Sequence, residues 1–180
     1  MEYKKPSEEF KEMGFGDKRI DRRMEKSVEA MSKKSEESIL SSCGTRHDAK
    51  GFYAMLGNEK FSFEQVRERS RKETVKRIIE SGISEVLLPQ DTTDVSMNGH
   101  KKTEGLGYCS EYTKGVQVHS CIALKPDGTN LGLVVQEYDT REQAKQEARK
   151  KRPIEEKESY RWHETARKAM EIVESGEPVV

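Results

Sequence analysis

No segment of this 180-residue sequence approaches the roughly 20 consecutive apolar residues that a membrane-crossing helix needs, so no membrane partner is expected. The first ten residues, Met1 to Phe10, are charged and lack the apolar centre of a secretory leader. Cysteine is scarce and odd in number. Cys43, Cys109 and Cys121 have no C-x-x-C spacing, which argues against a zinc site or a disulfide framework and fits reduced thiols in the cytoplasm. Gly105 and Gly107 do not fall in the strand, G-x-G-x-x-G, helix order that cradles a nucleotide phosphate, so no nucleotide cofactor is expected. Internal repeats and low-complexity tracts are absent. Apolar residues make up only 32% of the chain and charged residues 37%. That is polar for a globular protein but short of disorder, and it implies a small core or one completed from elsewhere.

Charge is abundant and balanced overall, yet unevenly placed. Residues 1–80 carry 19 Lys+Arg against 16 Asp+Glu, and the remainder carries 14 against 17. A mildly basic front and a mildly acidic back suit a DNA-contacting module followed by a metal-using one; an imbalance of this size is also ordinary for a solvated surface.

Periodicity predicts three helices in the front half. Asp17 is a good N-cap, and Ile20, Met24, Val28 and Met31 follow along one helical face. Arg19, Arg22, Arg23 and Lys26 occupy the opposite face, where they either neutralise DNA phosphates or are balanced by Asp21, Glu25 and Glu29. A second helix is capped by Thr45 and carries Ala49, Phe52, Tyr53 and Leu56 as its apolar stripe, stopping at Gly57-Asn58. Arg46, Lys50 and Tyr53 are candidates for the same DNA surface. Ser62 and Gln65 have capping-box spacing and open a third helix running to about Glu80, with Val66, Val75, Ile78 and Ile79 inward. Gly82 ends it.

The pattern then changes. Val86-Leu87-Leu88 reads as a buried strand ending near Asp91, and residues 98–114 as a loop. Val116, Val118, Ser120, Ile122 and Leu124 alternate along one strand face. Pro126-Asp127-Gly128 signals a turn, and Leu131, Leu133 and Val135 continue the alternation into an antiparallel hairpin. A charged excursion spans Asp139 to Arg152, with Lys150, Lys151 and Arg152 as a basic cluster that either touches DNA or is solvated. A last helix follows Pro153, with Trp162, Ala166, Ala169 and Val173 on one face and Gly176 as C-cap. Val179-Val180 looks like the start of a further strand, so the sheet domain is expected to be incomplete as it stands.

Asp91 is the residue with the clearest chemical potential. A carboxylate at the end of a buried strand is costly unless a charge or metal meets it. Mg²⁺ takes one or two carboxylates together with phosphate oxygens and water, and two-metal sites clamp both oxygens of a phosphodiester displacement. A strand-end Asp is also commonly a simple cap or turn residue. Asp94 and His119 are its candidate neighbours. His119 either lies near Asp91 and a DNA phosphate or is hydrogen-bonded within the sheet. Pro89 departs from the pattern, because proline cannot donate to a central ladder.

Gly16-Asp17-Lys18-Arg19, Gln90-Asp91-Thr92-Thr93, Thr103-Glu104-Gly105-Leu106-Gly107, Val118-His119-Ser120, Pro126-Asp127-Gly128 with Leu131-Gly132-Leu133, and Pro153-Ile154-Glu155-Glu156-Lys157-Glu158-Ser159 before Trp162 recur here in one order. In that order and spacing the sequence resembles the N-terminal part of bacterial insertion-sequence cut-and-paste transposases of the Asp-Asp-Glu, ribonuclease-H-like type. The resemblance implies an α+β protein: a helical DNA-binding module at 10–80, then the front of a ribonuclease-H-like domain at 83–180 with three mainly antiparallel strands and a helix. It implies that the module grips terminal inverted repeats, and that Asp91 is the first catalytic Asp and a ligand for Mg²⁺ or Mn²⁺. The second Asp and the Glu have no counterpart here, so the chain alone is expected not to complete the triad. Expected partners are DNA and an intact transposase or a second copy of the chain. The alternatives are a catalytically inactive DNA-binding fragment that inhibits transposition, and a non-functional remnant with an exposed sheet edge.

Overall fold

The computed structural model describes residues 4–99, 102–110, 112–141, 153, 154, 157 and 159–176. The expected basic cluster Lys150, Lys151 and Arg152, the acidic positions Glu155, Glu156 and Glu158, and the expected strand at Val179-Val180 lie outside them. The chain divides into two units, Met1–Glu73 and Thr74–Val180, and the division falls within one helix. The described residues combine helices with an antiparallel sheet, an α+β arrangement.

In the first unit, α1 (Pro6–Glu9), α2 (Lys18–Ser32), α3 (Ile39–Ser42) and α4 (Arg46–Leu56) precede α5 (Phe63–Ser81), which continues into the second. Helix α2 starts where expected: the Asp17 carboxylate accepts from Arg19 N at 2.9 Å. Its apolar face, Ile20 and Met24, joins Met13, Phe15 and Met55 in a small core, with Phe10, Val28, Phe52, Leu56, Phe61 and Val66 packed around it. Thr45 caps α4 by accepting from Asp48 N at 3.0 Å, and Ser62 Oγ accepts from Gln65 N at 3.2 Å at the head of α5. The one-turn helices α1 and α3 are too short for periodicity to reveal. Ile79, expected inward, points outward and is 64% exposed.

The second unit is built on a four-stranded antiparallel sheet: β1 (Gln90–Ser96), β2 (Gly107–Tyr108), β3 (Lys114–Leu124) and β4 (Asn130–Asp139). Strand β3 is central, pairing β1 on one side and both β4 and β2 on the other. Three strands were expected; the fourth, β2, lies inside the segment read as loop. Helix α6 (Tyr160–Ser175) closes the unit. It begins seven residues after Pro153 and ends at Gly176, which takes the left-handed conformation (φ 65°) that glycine adopts without strain.

The short apolar run Val86-Leu87-Leu88 does not form a strand. Leu87 makes a single bridge to Leu124, and β1 starts only after Pro89. The missing N–H of Pro89 breaks the ladder there, while its carbonyl still accepts from Ile122 N at 3.2 Å. Asp91 therefore lies at the start of β1, one residue from its first position, instead of at the end of an apolar strand.

The buried face of β3 is the opposite of the one expected from hydrophobic alternation. Gly115, Gln117, His119, Cys121 and Ala123 are buried, and Val116, Val118, Ser120, Ile122 and Leu124 are half-buried. Helix α6 lies over the buried face: Lys168 pairs with Glu137 at 2.5 Å, Arg161 with Asp139 at 2.6 Å, and Trp162 packs edge-on to His119. Small Cys121 and Ala123 leave room for the helix residues Ala169 and Ile172, while at Gly115 an added Cβ would strike the Val95 carbonyl of β1. The two polar side chains are tolerated because each is hydrogen-bonded. Cys121, Ala123, Leu131, Val134 and Val135 form the core with Val75, Ile78, Ala169 and Ile172. Each fully buried aliphatic side chain there contributes about 1.5–3 kcal/mol of transfer free energy.

Gly132 shows why the β3–β4 pairing is irregular. It has φ 127°, and a Cβ at this position would collide with the side chains of Thr74 and Arg77 on α5. Pairing shifts register on either side of Ala123, its partner. Gly132→Ala is expected to destabilise the second unit by about 1–3 kcal/mol through backbone strain alone, read as a lowered midpoint in urea unfolding. An unchanged midpoint would show that the positive φ is not required.

Candidate nucleic-acid interface and the Asp91 carboxylate

The expected basic face of α2 divides into two groups. Arg19 and Arg22 are exposed. Arg19 pairs with Asp17 at 2.9 Å, but its side chain is 89% exposed. That contact holds the Asp17 carboxyl down to about 2. Arg22 makes no ion pair among the described residues. Arg23 and Lys26 instead meet on one acid: Asp48 Oδ1 lies 3.1 Å from Arg23 Nη1 and 2.6 Å from Lys26 Nζ. Thr45 Oγ1 donates to the other oxygen of Asp48 at 2.7 Å. The Lys26 hydrogen bond, then the Thr45 one, hold the Asp48 carboxyl far below the usual range.

Arg23 is thus committed to packing α2 on α4. Only 26% of its side chain is exposed, and its guanidinium occupies the space beside Gly51, where an added Cβ would come within 2.5 Å of Cζ. Arg23, expected among the DNA contacts, is placed with its guanidinium on Asp48 and most of its side chain shielded within the unit. Lys26 remains mostly exposed while touching the same acid.

On α4, Arg46, Lys50 and Tyr53 are exposed. Their spacing of four and three places them in one row. The helix turns Asp48 and Gly51 toward α2 and leaves this row outward. Sequence reading missed Asp48 and Gly51. The signal was present in the Thr45-x-x-Asp48 cap and in a glycine inside a helix, which commonly marks a close approach.

The chain carries a recognisable signature over these helices. Residues 6–61 match the family described as transposase DNA-binding. The match supports a transposase-type N-terminal region and a transposase-related DNA-binding function. It spans α1 to α4 and includes Arg19, Arg22, Lys26, Arg46, Lys50 and Tyr53. No curated protein matches the chain.

In the second unit, Asp91 pairs across the sheet with Ser120 and is exposed. It has no hydrogen bond or ion pair among the described residues. Beyond it, Gln136 Nε2 donates to Ser120 Oγ at 3.2 Å, and Tyr138 Oη donates to Gln136 Oε1 at 2.6 Å. A polar row thus runs from Asp91 across three strands. The two expected neighbours of Asp91 are not on this face. Asp94 is three residues away, so the strand pleat sends it to the other side, where it accepts from Gln117 Nε2 at 2.9 Å. His119 opposes Thr92 and is fully buried on the side of α6. Burial, then the nearby Arg161, holds its pKa below the ordinary histidine range.

Among the described residues no three His, Cys, Asp or Glu side chains gather to hold a metal ion. Asp91 is an exposed carboxylate with no companion acid on its face among the described residues, which does not suit a pair of divalent cations. No helix among them is long and apolar enough to cross a membrane.

The paired state of Asp48 has a pH consequence. Its folded pKa is depressed, so the stability it contributes is present above the unfolded value of about 3.9 and is lost as pH falls below it. Asp48→Asn should lower the melting temperature of the protein at pH 7 and flatten its decline below pH 4. An equal acid-induced decline in parent and variant would remove Asp48 from the α2–α4 contact.

Proposed function

We propose that this chain is a transposase-derived DNA-binding protein that grips the terminal inverted repeats of an insertion element. The single observation that carries this reading is the transposase DNA-binding match over residues 6–61, whose helices present exposed cations in two rows. In this reading Arg19, Arg22 and Lys26 on α2 neutralise backbone phosphates, and Arg46, Lys50 and Tyr53 on α4 face the duplex. The protein acts in the cytoplasm, on the nucleoid.

The second unit supports a ribonuclease-H-like reading. Strands β1, β3 and β4 form an antiparallel meander followed by α6, the order that fold uses at its front. Asp91 then takes the role of the first catalytic Asp, a ligand for Mg²⁺ or Mn²⁺. When bound, such an ion supplies charge neutralisation at a phosphodiester. Asp91 would hold it, with Ser120, Gln136 and Tyr138 as hydrogen-bonding groups alongside. Among the described residues one carboxylate does not position two cations, so what these residues support by themselves is occupancy of element ends without cutting. The chain acts alone, with a second copy, or with an intact transposase.

A gel shift on duplexes from the ends of the element that carries the coding sequence tests the binding. Affinity should fall steeply with salt, by about 0.9 in log–log slope for each phosphate neutralised. Replacing Arg19, Arg22 and Lys50 together with Ala should remove most of the shift and flatten that slope, with the melting temperature retained. Arg23→Ala should instead lower the melting temperature. A triple variant that binds as tightly as the parent refutes the assigned surface. With Mg²⁺ and supercoiled plasmid, no nicking is expected; nicking that Asp91→Asn abolishes would overturn the non-cutting reading.

A further inference from the structure

We infer that Lys60 and Arg19 form one two-cation clamp on the DNA phosphate backbone, with Asp17 as the residue that positions Arg19 within it. The inference deepens the DNA-binding reading of the first unit and rests on it. It adds Lys60 to the contact surface and gives Asp17 a role beyond capping α2. All three residues lie within the matched segment 6–61.

Lys60 follows α4 in the sequence, yet it sits at the start of α2, where its Nζ donates to the Gly16 carbonyl at 3.3 Å. The fold around it sets this placement. Phe61, its neighbour, packs on buried Phe15, the neighbour of Gly16, with ring centroids 5.2 Å apart. Asn58 shapes the turn that delivers them: its Oδ1 accepts from Lys60 N at 3.0 Å and its carbonyl from Phe61 N at 2.9 Å. Residues 60 and 61 are thus laid against 15 and 16, rings toward the small core and ammonium along the loop. Gly16 has φ 75°, the left-handed conformation that glycine adopts without strain. Lys60 is exposed and pairs with no acid among the described residues. The carbonyl takes one of its three N–H groups and leaves two.

Arg19 is held at both ends by one side chain. Asp17 Oδ1 accepts from Arg19 N at 2.9 Å, and the carboxylate also accepts from Nε at 3.2 Å and Nη2 at 2.9 Å. The Arg19 hydrogen bond foremost, and the Lys60 charge in smaller part, keep this carboxyl ionised. An exposed pair of this kind adds little to stability. What it supplies is order: a guanidinium already fixed in one rotamer has less freedom to lose on meeting a phosphate. Its Nη1 group remains open, beside the same Gly16-Asp17 step that holds Lys60.

Charge counting and positioning predict opposite results for Asp17→Asn. Asn caps a helix as well as Asp does and removes a negative charge, so charge alone predicts tighter DNA binding. Positioning predicts weaker binding, because the fork is lost. Fluorescence anisotropy of the whole chain on duplexes from the element ends, between about 50 and about 200 mM salt, decides. Lys60→Ala should weaken binding about 5–10-fold at about 0.1 M salt and lower the log–log slope by about 0.9, one phosphate contact, while Lys60→Arg keeps both. Asp17→Asn should weaken binding about three-fold or more with the melting temperature retained, and should add nothing in an Arg19→Ala background. If Asp17→Asn melts early, Asp17→Ser, an equal cap, takes its place. A Lys60→Ala slope and affinity equal to the parent's overturn the clamp. Asp17→Asn binding as tightly as the parent, or more tightly, overturns the positioning role. In both cases the DNA-binding reading stands. A parent chain that binds none of the duplexes removes that reading and this inference together.

Discussion

A β-strand shows each side chain to one face of its sheet, and on β1 that parity decides what the second unit offers chemically. Asp91 and Asp94 are an odd number of residues apart, so they cannot meet. Asp94 is exposed on the other face and accepts from Gln117. Asp91 is left on the open face beside Ser120, Gln136 and Tyr138. The same parity puts Gln90 and Thr92 against buried His119. One strand therefore carries two chemistries back to back: a hydrogen-bonded cluster around buried His119, and an acid with no bonded partner among the described residues.

The first unit depends on an acid in a different way. Asp48 draws together Arg23 from one helix turn, Lys26 from the next, and the cap residue Thr45. Its side chain is only 17% exposed, so water screens its pair with Arg23 less than it screens an open surface pair. Asp48 also sorts the basic residues of α2. Arg23 is absorbed into the helix–helix contact, Lys26 is shared, and Arg19 and Arg22 remain available to a polyanion. The exposed positive charge of α2 is thus smaller than the number of its arginines suggests, and it is held on a scaffold that its own salt bridges help to define.

The helices of the first unit were legible in the residues because their signals are local. Asp17, Thr45 and Ser62 cap within three residues of themselves, and the α2 stripe of Ile20 and Met24 repeats within one or two turns. The transposase resemblance likewise rested on short runs, and over residues 6–61 the family match agrees with it. The second unit was less legible. Valines and isoleucine on alternate positions of β3 promised the core face, yet α6 packs on the other, where Gly115, Cys121 and Ala123 are small and Gln117 and His119 find partners. β-branched residues favour strands whichever way they face, so alternation located the strand without naming its inner side.

From capping residues and periodicity alone came a helical front followed by strands, the starts of α2, α4 and α5, and the β3–β4 hairpin. These follow from contacts between residues near in sequence. Tertiary structure decided which face of β3 is buried, that Arg23 belongs to Asp48 and Gly51, and that Asp94 and His119 turn away from Asp91. Those outcomes depend on which distant element packs against which face, and a local pattern holds no record of the partner that covers it.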